Sequence, residues 1–253
     1  MRMLAVARNT FREAVRDKVL YVLLLFAATA IFGSKALGWI SIGQDIKIIK
    51  DISLAAVSVF GVLIAIFVGT NLVYKEIDKR TIYTILCRPM HRWEFILGKY
   101  LGLAALLAVT TAVMATVAAL YVVMLGGTLD LIFFQAVLLI YWQLLLVTAL
   151  AVLLSAVTSP ILGAIIVFST YIVGHATTIF TDLPPHFDEA ASRYVLLAIY
   201  YVVPNLSNFD IRAEAANGVP VASGYVLWAL AYGTVYTAVL LIVASLAFQE
   251  KDV

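Results

Sequence analysis

Charge is what this 253-residue chain has least of. Only 13% of its residues are charged and 64% are hydrophobic, against about 25% charged in ordinary soluble domains. One soluble core could not hide that much apolar surface, so lipid is the natural solvent for the excess. Cysteine is nearly absent: the single Cys87 excludes an internal disulfide framework and any Cys-rich metal site. The three histidines, His91, His175 and His186, stand too far apart for metal-ligand spacing, so no metal is expected. No G-x-x-x-x-G-K-[ST] phosphate loop occurs; Gly98-Lys99 lacks both the upstream glycine and the following Ser or Thr. The chain is therefore not expected to be an enzyme or to hydrolyse ATP by itself. An intramembrane protease would need a Gly-x-Ser-Gly nucleophile or a His-Glu-x-x-His zinc motif. Gly33-Ser34 and Ser223-Gly224 do not supply the first, and the second is missing. No nucleic-acid motif appears, and no nucleic-acid partner is expected.

What is present is a series of long apolar runs. A bilayer core about 30 Å thick needs roughly 20 apolar residues per helix. Six stretches meet that test: 19–40, 52–74, 100–125, 131–154, 161–179 and 223–247. The expected fold class is all-α, a polytopic membrane protein with six transmembrane helices in one transmembrane domain over 1–253. Five of the six runs carry no Asp, Glu, Lys or Arg; the exception is Lys35. It lies about 7.5 Å from the end of its run at helical rise, within snorkelling reach of the interface, and a functional intramembrane cation is the alternative. With the N-terminus inside, twelve basic and seven acidic residues fall on the inner side, against five and eight outside. The positive-inside rule then places both termini in the cytoplasm of a cell whose inner membrane holds the chain.

Three segments carry further information. In 1–18, Leu4, Ala7, Phe11 and Ala14-Val15 recur at helical spacing, while Arg8, Arg12 and Arg16 form an i,i+4 row. That pattern describes an interfacial amphipathic elbow helix whose arginines anchor among lipid headgroups; a simple orienting anchor is the plainer reading. The inner connection 75–99 mixes charges with Ile77, Ile82, Ile85, Leu86, Trp93 and Phe95, too apolar for a disordered linker. Pro89 divides it into a short helix and a second helix entering the third span. A charged surface with apolar anchors suits docking of a cytosolic protein, although a solvated basic loop would obey the same charge rule. The outer connection 180–222 holds ten apolar residues at 194–203, too few to span and suited to a re-entrant or interfacial position. Among the sparse polar residues inside the spans, Asn71 and Gln143 are candidates for a substrate path, with helix–helix glue as the commoner role. His175 reads as a satisfied interior group.

Taken in order, these parts resemble the membrane subunits of type-2 ABC exporters, the ABC-2 permeases. The resemblance covers almost the whole chain: the elbow, the six runs, Lys75-Glu76-Ile77-Asp78-Lys79-Arg80-Thr81, then Pro89, Arg92-Trp93-Glu94 and Gly98-Lys99, the outer Pro204-Asn205-Leu206-Ser207-Asn208-Phe209-Asp210, and Phe248-Gln249-Glu250-Lys251-Asp252. In that family the inner loop reads as an acidic-basic cluster ending in Thr, then Pro, then an Arg-x-Glu helix leading into Gly-Lys. The resemblance implies that the inner connection is a cytoplasmic coupling helix, with Glu76, Asp78, Arg80, Thr81, Pro89, Arg92, Trp93 and Glu94 in ATPase coupling. It further implies a pathway formed by two permease protomers (a homodimer) and ATP and Mg bound by separate cytosolic ABC ATPase subunits, this chain binding no cofactor. The function so implied is export of a substrate that nothing in the sequence identifies. An intramembrane enzyme, or a membrane assembly subunit without a transport path, is the alternative.

Overall fold

The computed structural model describes residues 2–38, 44–78, 91–176 and 203–249. Among these the chain is helical: α1 (Arg2–Val15), α2 (Lys18–Gly38), α3 (Asp45–Asp78), α4 (Arg92–Met124), α5 (Leu131–Val157), α6 (Pro160–His175), a 3₁₀ turn at Ser207–Phe209, α7 (Arg212–Asn217) and α8 (Ser223–Gln249). Five of these helices, α2, α3, α4, α5 and α8, are long and apolar enough to cross a membrane. Pro160 starts α6, where its missing N–H costs nothing. With 16 residues, α6 extends about 24 Å, short of the roughly 30 Å hydrocarbon thickness. The expected span 161–179 is therefore a shorter helix within the described residues, and 177–179 lie outside them.

Two other helices begin well before their uncharged runs. Instead of an outer connection reaching residue 51, α3 starts at Asp45. In these added turns Ile49, Lys50 and Ser53 are buried, while Asp45, Lys47 and Asp51 are exposed; such an amphipathic turn continues a helix although its charges break the apolar run. α4 starts at Arg92, so the helix expected after Pro89 runs without a break into the third apolar run, with Phe95, Ile96, Gly98 and Lys99 buried in its first turns. The chain 75–99, read as a connection, is thus helical at both ends, to Asp78 and from Arg92.

The core runs along α3 and α5. Two thirds of the apolar window of α3 is buried (67%), against 22% for α2 and 17% for α8. α2 lies on α3, α8 on α5, and α1 on α4. The α3–α5 contact is close because small residues face it: a Cβ at Gly61 would fall 2.6 Å from Leu144 Cδ1, and one at Gly69 3.2 Å from Ala151 Cβ. In lipid no hydrophobic force drives helices together, so such backbone proximity supplies the packing energy. Hydroxyls in the spans mostly satisfy themselves. Thr148 donates to Leu144 O at 2.7 Å, Thr110 to Leu107 O at 3.2 Å and Thr170 to Ile166 O at 2.8 Å, the usual way a helix absorbs a hydroxyl.

Candidate functional site

Two polar assemblies stand out, one at the end of the bundle where α1 lies and one in its interior. At the first end, His91 precedes α4 with extended backbone. Its N–H donates to Glu94 Oε2 at 3.3 Å while Glu94 N–H donates to His91 O at 3.0 Å, so the two residues close the helix start reciprocally. Trp93 is 44% exposed and stacks on His91 with ring centroids 6.5 Å apart. The entrance to α4 is therefore a capped, rigid turn presenting an aromatic side chain outward.

The next turns of α4 carry α1. A Cβ at Gly98 would stand 2.8 Å from Val6 Cβ, and one at Gly102 would stand 2.6 Å from both Ala7 O and Thr10 Cβ. Gly98 and Gly102 thus form a small-xxx-small notch into which the backbone of α1 fits. The four-residue glycine spacing stands in the sequence as Gly98-Lys99-Tyr100-Leu101-Gly102, but only the packing of α1 shows what it admits. On the opposite face of α1, Arg8 and Arg12 are exposed with Leu4 in the same row at 65% exposure, and Arg16, in the turn just after the helix, is exposed too. Ala14 and Thr10 are buried, and Phe11 and Val15 pack on the core. Also at this end, Phe95 of α4 stacks on Phe248 of α8, centroids 5.8 Å apart, and the fully buried Lys99 sits 5.7 Å from the Phe95 ring. The first turns of α4 are thereby locked to both α1 and α8.

Of the residues expected to act in coupling, Glu94 and Trp93 are placed as above. Glu76 and Asp78 lie in the last turns of α3 and Arg92 begins α4, their side chains outside the described set. Arg80, Thr81 and Pro89, with the expected short helix before Pro89, lie outside the described residues.

The interior assembly centres on Gln143, which is 1% exposed. Its Nε2 lies 3.3 Å from His175 Nε2, and His175 Nδ1 lies 3.1 Å from Tyr171 O. A proton on Nδ1 satisfies both contacts: Nδ1–H donates to the carbonyl and Nε2 accepts from the amide. The Tyr171 hydroxyl is 3.5 Å from Ser58 Oγ, so α3, α5 and α6 meet through one polar chain. Asn71 is in α3, its side chain outside the described set.

Just beyond the end of α6, the chain 203–217 enters the bundle. Leu206 N–H donates to Gly174 O at 3.0 Å, and Asn205 N–H donates to Tyr232 Oη at 2.9 Å. Asn205 Oδ1 accepts from Ser207 N–H at 3.1 Å, an Asx turn that shapes the reversal. Phe209, fully buried, has its Cζ 2.9 Å from where a Gly233 Cβ would be, with Trp142 Cδ1 at 3.0 Å. Trp142 and Gly233 each lie about 15 Å inside their helices, counted from Leu131 and Ser223 at helical rise. Next to this plug Arg212 grips Asp210 with two bonds, Nε to Oδ1 at 2.7 Å and Nη2 to Oδ2 at 2.6 Å. Burial pushes Asp210 up, but the paired guanidinium and nearby His175 hold its carboxyl below the ordinary value. The Pro204–Asp210 run was recognised in the sequence, but its depth was not; the apolar stretch 194–203 lies, except for Val203, outside the described residues.

A helical bundle with five span-length helices among the described residues defines a multi-pass membrane protein. The chain belongs to the ABC-2 family transporter proteins, which its residues 4–253 match. It is the membrane-spanning permease subunit of an ABC transporter, and that membership implies association with ABC ATPase partners. No curated protein matches the chain.

Proposed function

We propose that this permease is the membrane half of an exporter, in which two copies form the pathway and two separate ATPase subunits dock on the connection between α3 and α4. The observation that supports it most is the entrance of α4. Trp93 faces outward on a capped turn, while one and two turns further on the same helix is notched into α1 and stacked on α8. A displacement applied at residues 79–91 would pass into three helices at once, as a coupling element requires. On this reading ATP and Mg bind in the partner, and this chain binds no cofactor and is not an enzyme. Both termini and the 79–91 connection face the cytoplasmic side of the inner membrane, α6 forms the described part of a sixth crossing that is shorter than the other five, and 203–217 is re-entrant from the outer face. α1 is the elbow, its Arg8, Arg12 and Arg16 row meeting anionic headgroups at the surface. Gln143, buried against His175, joins the helices bordering the path.

The test is co-purification with the cognate ATPase after charge reversal at Glu76 or Arg80. The expected outcome is loss of the ATPase from the complex, or loss of transport with the ATPase retained, while the spans stay folded. Unchanged retention together with unchanged transport would refute the coupling assignment, as would labelling of a cysteine placed within 79–91 from outside intact cells.

A further inference from the structure

At the end of the bundle away from α1, the last turn of α2, the first turns of α3, the turn 125–130 and the end of α7 enclose a cavity of about 620 Å³. Its polar lining includes Lys35, Lys47, Lys50, Asp45, Asp130 and Asn217, three cations against two carboxylates. Gly126, with φ 82°, turns the chain there in a conformation that a side chain would resist, and the turn delivers Asp130 to Lys50. Lys50 is unusual because its side chain is 6% exposed while Asp130's is 45% exposed. Their contact, Lys50 Nζ to Asp130 Oδ2, is 3.3 Å, long for a charge-assisted bond, which is usually about 2.7–2.9 Å. An ammonium has three donors, and this loose pairing uses one. A buried cation so held favours a further anion in the cavity beside it.

Apolar side chains flank the cavity. Leu125 lines it, and one turn below, the Tyr121 ring meets Phe32 edge-on at 5.1 Å. Tyr121 Oη donates to Phe32 O at 2.9 Å, which joins α2 to α4. Phe32 and Met124 are 55% and 82% exposed, so an apolar wall adjoins the cavity. A soluble anion would have no use for that wall; an anionic group carrying an acyl chain would.

We propose that this cavity binds the phosphate of an anionic phospholipid, held by Lys35, Lys47 and Lys50, with an acyl chain along Phe32 and Tyr121. The site is separate from the Gln143–His175 assembly and concerns a resident lipid rather than cargo. It rests on the membrane placement of the helices and not on the direction of transport.

Full-length protein in detergent, titrated with short-chain phosphatidylglycerol and read by native mass spectrometry, tests it. Wild type is expected to bind this lipid in preference to phosphatidylcholine of equal chain length. The double variant K35Q/K47Q should weaken binding by about five-fold or more per charge removed, the factor expected for unit charges about 4 Å apart in water. D130N removes the competing carboxylate and should tighten binding by a similar factor. Loss of fold would move both variants the same way, so a shared direction would overturn the proposal. Equal binding of the two lipids would overturn it too. Displacement of the lipid by inorganic phosphate at equal concentration would reassign the cavity to a soluble anion and overturn the lipid reading.

Discussion

Gly102→Ala is the smallest change that probes how α1 is held to the bundle. The added methyl would lie 2.6 Å from Ala7 O and from Thr10 Cβ, whereas comfortable separations between such atoms are about 3.5–4.0 Å. One obstacle is main-chain oxygen, which no rotamer change can move, so α1 must shift outward by about 1 Å to reach that separation. Overpacking of this kind costs about 1–3 kcal/mol. Against it stands the gain from replacing glycine in a helix interior, about 0.5–1 kcal/mol. The expected balance is a net loss of roughly 1–2 kcal/mol. Gly33→Ala is the matching control, because nothing lies within 4 Å of its added methyl, leaving only the propensity gain. Equilibrium unfolding of the detergent-solubilised monomeric chain should therefore move in opposite directions for the two variants. In the complex with its ATPase, Gly102→Ala should lower transport more than it lowers ATPase retention, since docking surfaces are untouched. A Gly102→Ala protein as stable as wild type, or a Gly33→Ala protein equally damaged, would refute the notch.

Two further outcomes are expected alongside the charge reversals and the lipid titration described above. Gln143→Leu removes the amide donor to His175 and should cost about 1 kcal/mol in thermal unfolding, the scale of interhelical bonds in membranes; no change would mean the bond is idle. Because the Asp210 carboxyl is held below its ordinary value, its contribution is fully present above about pH 3.9 and is lost as pH falls through its lowered folded value. Protection factors of the amides of 205–217, that is, exchange rates corrected for their intrinsic pH dependence, should be steady near neutrality and fall below that pH. Asp210→Asn should abolish the dependence, and persistence of the acid effect in that variant would assign it elsewhere.

How much was legible depended on the range of the interaction. Run length and charge placement marked every helix of span length among the described residues, because lipid tests each segment for local apolarity. The i,i+4 arginine row on α1 was equally local, and all three arginines are exposed. The early start of α3 escaped because Lys50 interrupts apolar patterning while being buried, and only packed neighbours make a buried lysine tolerable; the helix expected after Pro89, entering the third span, is observed from Arg92. The shortness of α6 escaped for a related reason: an apolar run sets how long a helix could be, and here Gly174 lies against Pro204 and Leu206 of the returning chain.

By itself, then, the sequence determined a membrane-embedded helical bundle of the ABC-2 kind, its span-length helices and its basic α1. The tertiary structure decided which polar groups meet: Gln143 with His175 across 32 residues, and Lys50 with Asp130 across 80. Apolar length and helical spacing are properties of neighbours along the chain. A hydrogen bond between distant side chains depends on how close two backbones come, and in lipid that is set by glycines such as Gly61, Gly98 and Gly102 acting through residues far from them in sequence.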